Sequence, residues 1–269
     1  MTVFPNVKLN LGLRVLGKRP DGYHELESLF IPCDAFRDEL SIVPAQEFGI
    51  EIEGSCYRGW DPSEDLTARA WRLLRDEFGV DPVRISLTKN SPVGAGLGGG
   101  SADGAFALRA MNDIFSLGLD DAALAGLAAR LGSDCPFFIY NRPMFVTGRG
   151  DVLEPFDIDL SGYRIEVAVP EGVAVSTKEA YAGLGSPPCS HASPRPLMRP
   201  SSLRSSIASL LYLPPEQWRG RLVNDFERSV FPAHPEIAAL KEEFYRRGAI
   251  YASMSGSGSA VFALFPANS

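Results

Sequence analysis

A chain of 269 residues, 45% hydrophobic and 22% charged, has the make-up of a soluble globular protein with room for one large or two smaller domains. Its formal net charge of −7 argues against a broad nucleic-acid footprint, so an anionic ligand needs a local basic patch. No apolar run approaches the ~20 residues of a membrane span, and Met1–Asn6 lacks the basic region and apolar core of a secretion signal.

Cys33, Cys56, Cys135 and Cys189 form no Cys-x-x-Cys, and with three scattered histidines they offer no metal-ligand spacing. Free thiols in a reducing cytoplasm are the simplest account.

Residues 7–15 alternate strictly. Val7, Leu9, Leu11, Leu13 and Val15 face one way and Lys8, Asn10, Gly12 and Arg14 the other, the pattern of a half-buried strand. Turn residues 17–22 and a returning strand from Tyr23 to Ile31 predict a hairpin. Lys8 and Asn10 then stand about 7 Å apart on one polar face. Alternation alone does not separate a solvated Lys8 from a functional one. Strands are predicted at 39–43 and 50–53. A helix is predicted over 63–78, with Leu66, Ala70, Leu73, Leu74 and Phe78 at helical spacing after Pro62 and Ser63.

A strand over 83–88 leads to the stretch Pro92–Asp103, in which five of twelve residues are glycine, and a helix is predicted at 102–116. A glycine loop that opens a helix leaves backbone N–H groups unpaired, admits an anion close to the chain and adds the favourable end of the helix dipole. Gly94-x-Gly96-x-x-Gly99 matches a dinucleotide fingerprint formally. That motif follows its strand directly, however, and here Lys89–Pro92 intervenes. The P-loop is absent, since Gly100 precedes Ser101 and Ala102 rather than Lys. A flexible linker fits poorly between two ordered elements.

A third helix is predicted at 120–131. Asp134 follows, between that helix and the run Cys135–Phe138, where it reads either as a turn or capping aspartate or as a chemical group. Strands at 144–146 and 152–156 flank Gly148-Arg149-Gly150. A boundary near 155–162 divides the chain into 1–157 and 158–269. Beyond it come a strand at 163–170 and a short helix with Tyr181. A Pro-, Ser- and Arg-rich loop spans 183–206; its Arg195, Arg199 and Arg204 read as solvated or as phosphate contacts. Leu222–Glu227 reads as structural helix and 235–247 as an amphipathic helix. Strands at 249–253 and 260–265 flank the loop Met254–Ser259.

The series Pro92-x-Gly94-x-Gly96-Leu97-Gly98-x-Gly100-Ser101-Ala102 resembles the ATP-binding motif of the GHMP kinase superfamily. The phrase Pro5-x-x-Lys8-Leu9-Asn10-Leu11-x-Leu13, followed by Arg19-Pro20-Asp21-Gly22-Tyr23-His24, is similar to one branch, the 4-diphosphocytidyl-2-C-methyl-D-erythritol kinases. That branch commonly reads Pro-Ala-Lys, whereas Pro5-Asn6-Val7-Lys8 holds an extra residue. Gly132-x-Asp134-x-Pro136-Phe137-Phe138 and the final loop resemble further motifs of the family.

The resemblance implies an α+β, two-domain fold: an N-terminal ATP-binding α/β domain and a C-terminal ferredoxin-like α/β sandwich. It implies ATP and Mg2+ as cofactors and phosphorylation of the 2-hydroxyl of the CDP-linked methylerythritol, in the methylerythritol phosphate route to isoprenoids. Lys8 and Asp134 become the catalytic pair. Pro92, Val93, Gly94, Ala95, Gly96, Leu97, Gly98, Gly99, Gly100 and Ser101 become the ATP loop, with Ser101 as an outer contact to magnesium. Asn10, Tyr23, His24, Thr177 and Tyr181 become acceptor-binding residues, the two tyrosines sandwiching the cytosine. Two alternatives stand beside this: a GHMP kinase for homoserine or a phosphomevalonate, and a non-catalytic ligand sensor, against which the retained Lys8 and Asp134 argue.

Overall fold

The alternating residues that open the chain form a long hairpin in the computed structural model, which describes residues 1–184 and 206–267. Cys189, Arg195, Arg199 and Arg204 lie outside the described residues. After a short β1 (Thr2–Val3), β2 (Asn6–Lys18) pairs antiparallel with β3 (His24–Arg37), and the N–H of Arg19 donates to the carbonyl of Tyr23 at 2.7 Å to close the turn. The β2 strand is not half-buried, as alternation suggested. Its polar side chains are buried too, with Lys8 3% and Asn10 1% exposed.

A second sheet has the order β1-β4-β6-β5, from β4 (Glu39–Pro44), β5 (Gly49–Glu53) and β6 (Val83–Thr88). β5 and β6 are parallel, so a crossover must join them. It is a 3-10 turn, Pro62–Glu64, and then α1 (Leu66–Phe78). Asp65 caps α1 by accepting the N–H of Thr67, so the α-helix starts after the Pro62-Ser63 signal.

On this sheet pack α1, α2 (Gly99–Ile114), α3 (Asp121–Leu131) and α4 (Cys135–Tyr140), in a core that includes Leu74, Leu87, Leu108 and Phe137. α2 begins at Gly99, three residues before the predicted start, because the glycines supply its first turn. The aromatic run 135–140 is itself helical, with Pro136 in its first turn. β3 also pairs with β7 (Met144–Thr147), which pairs with β8 (Val152–Pro155).

The remaining strands, β9 (Tyr163–Ala168), β10 (Tyr251–Met254) and β11 (Val261–Pro266), form an antiparallel sheet in the order β10-β11-β9. Its apolar residues are continuous from Val261 to Phe265 because both faces are covered. Phe262 and Leu264 pack with Val7, Leu9 and Leu11 of the hairpin. Val261 and Phe265 pack with Val230 of α7 (Glu227–Ala233) and with Ile237 and Phe244 of α8 (Pro235–Arg246). Two short helices, α5 (Thr177–Gly183) and α6 (Ser206–Leu211), and a 3-10 turn, Pro215–Gln217, complete the described elements. Leu222–Glu227 is not the helix expected. Val223 and Asp225 hydrogen-bond to Leu13 of β2, and helix starts only at Glu227. The side chains of Asn224 and Asp225 take up backbone groups elsewhere, which competes with helix.

No described helix is long and apolar enough to cross a membrane. Cys33, Cys56 and Cys135 are free, as expected.

A buried ionic cluster anchors the strand that enters the glycine loop. The ammonium of Lys89, at the end of β6, donates to Asp38, to Asp103 of α2 at 2.7 Å and to the Ser91 hydroxyl at 2.9 Å. Asp38 also accepts the N–H groups of Asn90 and Ser91. Burial pushes the Asp103 carboxyl well above the usual carboxylate range, against the pull of Lys89. Lys89→Met leaves two buried carboxylates without their cation. We expect it to lower the unfolding free energy by about 3–5 kcal/mol in urea titration, and a near-wild-type midpoint would remove the cluster from the account of stability.

Candidate active site

The glycine loop is wound by residues that only glycine tolerates well. Gly96 sits at φ +78°, and a Cβ there would lie 2.2 Å from the carbonyl oxygen of Ser255. Gly98, at φ +72°, is the N-cap of α2, and no side chain caps that end. The first-turn N–H groups of α2 are therefore left for a ligand, at the positive end of the helix.

Two cavities meet on this loop. One, of about 390 Å³, is lined by every residue from Pro92 to Ser101 except Leu97, and by Trp60 and Asp65. Leu97 instead packs in the core, and its carbonyl accepts the backbone N–H of Lys8 at 2.9 Å. The second cavity, of about 610 Å³, shares Gly94, Gly96, Gly98 and Ser101 with the first. Lys8, Asn10, Asp134, Thr177 and Tyr181 all line it.

At the junction, the Lys8 ammonium stands 3.7 Å from the Asp134 carboxylate, although the two are far apart in the chain. Lys8 Nζ donates to Asn10 Oδ1 at 2.5 Å and lies 4.4 Å from the centre of the Phe30 ring. Burial pulls the Lys8 pKa below the ordinary lysine value, while Asp134 pulls it back up. Asp134 is the N-cap of α4 but makes no capping hydrogen bond, so its carboxylate stays available, one-third exposed on the cavity side of the pair. The amide of Asn10 is committed to the protein: beyond Lys8, its Nδ2 donates to Ser28 Oγ at 3.0 Å. Asn10 thus orients Lys8 in this structure.

At the far end, Thr177 Oγ1 lies 3.1 Å from Ser257 Oγ of the final loop. The Tyr181 ring stacks on His24 at 4.4 Å and meets Phe226 edge-on. His24 therefore covers one face of Tyr181. Tyr23 is exposed, with the Arg149 guanidinium 4.9 Å from its ring, and neither Tyr23 nor His24 lines the second cavity. Sequence reasoning missed Arg149, Phe226 and Ser257, which do line it. For Arg149 a signal existed: a cation held between two glycines in a tight turn. Among the described residues no group of three His, Cys, Asp or Glu could hold a metal ion.

The model of the GHMP kinases N terminal domain matches residues 65–142, and that of the GHMP kinases C terminal matches 207–269. A 4-diphosphocytidyl-2-C-methyl-D-erythritol kinase of Bacteroides thetaiotaomicron is 44% identical over 98% of this chain and 92% of its own length. The chain belongs to that kinase family. A crystal structure of 4-(cytidine 5'-diphospho)-2C-methyl-D-erythritol kinase is similar at TM-score 0.75 and 33% identity, over 98% of this chain and 90% of the other. Homoserine kinase from Cytophaga hutchinsonii is similar at TM-score 0.58 and 17% identity, over 98% and 85%, a likeness of fold alone.

Gly96→Ala forces a side chain into left-handed backbone, costing about 1–3 kcal/mol, and drives a methyl into Ser255. Titration calorimetry should show ATP binding weakened at least tenfold, by about 1.4 kcal/mol; an unchanged affinity would mean that nucleotide does not use this loop.

Proposed function

We propose that this protein transfers the γ-phosphoryl group of ATP to the 2-hydroxyl of 4-diphosphocytidyl-2-C-methyl-D-erythritol, a step of isoprenoid synthesis by the methylerythritol phosphate route. The observation that carries the reading is the Lys8–Asp134 pair at the junction of two cavities that share the glycine loop. One cavity takes the nucleotide and the other the acceptor, so donor and acceptor meet beside the pair. Family membership supports the choice of acceptor.

Phosphoryl transfer asks mainly for alignment and charge stabilisation. Backbone donors from Gly94 to Ser101 cradle the phosphates. Lys8 offsets negative charge on the transferring group. Asp134 accepts the proton of the acceptor hydroxyl. Asn10 holds the Lys8 ammonium. Thr177 and Tyr181 bound the acceptor cavity, and Tyr23 with His24, which stacks on Tyr181, is assigned to the cytidine end. A magnesium ion fits on the nucleotide phosphates rather than in a protein cage, where it would neutralise phosphate charge, and the Ser101 hydroxyl would contact it only from its outer sphere. We assign nucleotide binding to the half 1–157, with 158–269 completing the acceptor cleft, and place the protein in the cytoplasm, where the free thiols of Cys33, Cys56 and Cys135 stay reduced.

Asp134→Asn is expected to cut kcat about a hundred- to ten-thousandfold while ATP affinity holds. Because Asp134 raises the Lys8 pKa, the residual activity should lose its alkaline limb at a lower pH than wild type. Wild-type turnover in this variant, or phosphorylation of homoserine but not of the CDP-linked polyol by the native protein, would refute the assignment.

Tyr181→Ala should raise the acceptor KM more than it lowers kcat, since one base–aromatic contact contributes about 1–3 kcal/mol. An unchanged KM would return Tyr181 to packing against His24 and Phe226.

A further inference from the structure

The segment Asn224–Glu227 is outside the reaction as described so far, yet its polar side chains all reach for backbone around the active site. Asp225 Oδ2 accepts the N–H of Val15 on β2 at 2.9 Å. Glu227 Oε1 accepts the N–H of Met254 at 2.9 Å, and its other oxygen holds Lys241. Asn224 is 1% exposed, and its Nδ2 donates to two carbonyls, of Met254 and of Gly256, each at 2.8 Å. Its Oδ1 accepts the N–H of Phe226 at 3.0 Å, so the amide is fully oriented.

Those two carbonyls flank Ser255. Ser255 is fully buried, and its hydroxyl lies 3.1 Å from the carbonyl oxygen of Gly96 and 3.4 Å from Asn10 Oδ1. Gly96 belongs to the glycine loop, and Asn10 Oδ1 is the acceptor that holds the Lys8 ammonium. One hydroxyl thus sits between the phosphate cradle and the group that aims the lysine, and one amide sets the backbone on both sides of it.

We propose that Asn224, acting through Ser255, is a positioning residue for phosphoryl transfer that keeps the Lys8–Asn10 pair and the glycine loop in register. This rests on the kinase reading above. An amide with both hydrogens on carbonyls has no isosteric substitute: a carboxylate in its place faces the same two carbonyls with oxygen, leaves them unpaired and repels them. The final loop then shifts, Ser255 leaves Asn10 and Gly96, and Lys8 loses its aim. Displacing a reacting group by about 1 Å costs on the order of a hundredfold in rate.

The test compares Asn224→Asp, Ser255→Ala and the double variant with wild type, using ATP and the CDP-linked polyol, with each rate normalised to the folded fraction from thermal unfolding. Asn224→Asp should lower kcat about ten- to a hundredfold while the acceptor KM changes far less. Ser255→Ala should lower kcat in the same sense, and the double variant should be no worse than Asn224→Asp alone, because both changes break one chain of contacts. Wild-type kcat in folded Asn224→Asp, losses that multiply in the double variant, or a rise in acceptor KM at unchanged kcat would each overturn the proposal. If Asn224→Asp does not fold, Ser255→Ala decides, and an unaltered kcat there overturns it. Failure of the kinase reading looks different: wild type itself would then not turn over the polyol.

Discussion

An ammonium group withdrawn from water governs the architecture of this site. Lys8 is carried on a strand buried on both faces, so its charge must be met by protein groups in fixed places. Asn10 accepts one of its three donors, the Phe30 ring presents its face nearby, and Asp134 stands at ion-pair rather than hydrogen-bond distance. Lys8 and Asp134 both line the second cavity, and the proposed reaction brings a phosphoryl group beside that pair. Burial that weakens the charged form also sharpens its field, because low polarisability screens it little.

The glycine loop is tied down by its carbonyls and not by its N–H groups. Leu97 accepts from the backbone of Lys8, Ala95 from the backbone of Ala260, and Gly96 from the Ser255 hydroxyl. Three successive carbonyls face into the protein and are satisfied there. Such an arrangement leaves the donors for an anion without orphaning those three acceptors, and it joins the loop to β2 and to the hairpin of β10 and β11 at once. The Lys89 cluster fastens the strand that leads in.

Much of the fold could be read from periodicity. The strand 83–88 and the helix ending at Phe78 lie where apolar spacing puts them, since local pattern and tertiary burial agree there. The strand through Lys8 misled because alternation records side-chain chemistry and not what covers each face; polar residues buried for function look like a solvated surface. The short α4 was hidden by its length and its proline, and the 222–227 stretch by Asn and Asp side chains that make long-range bonds no local pattern reports. Of the site, the glycines and the Lys8–Asp134 pairing followed from motif resemblance, and the structure brings that pair together. Ser257 escaped because it is a single polar residue whose meaning depends on Thr177, distant in sequence, whereas Arg149 carried a local signal in the Gly148-Arg149-Gly150 turn.

The bond from Ser255 to Asn10 spans 245 positions, and the Ala95–Ala260 bond links the middle of the chain to the same late hairpin. Contacts of that separation form slowly and only after the intervening elements have emerged. During translation β2 and the phosphate cradle leave the ribosome before the hairpin that locks them together. A nascent chain therefore exposes a lysine-bearing strand and an unfastened anion loop until the hairpin of β10 and β11 has emerged and folded onto them.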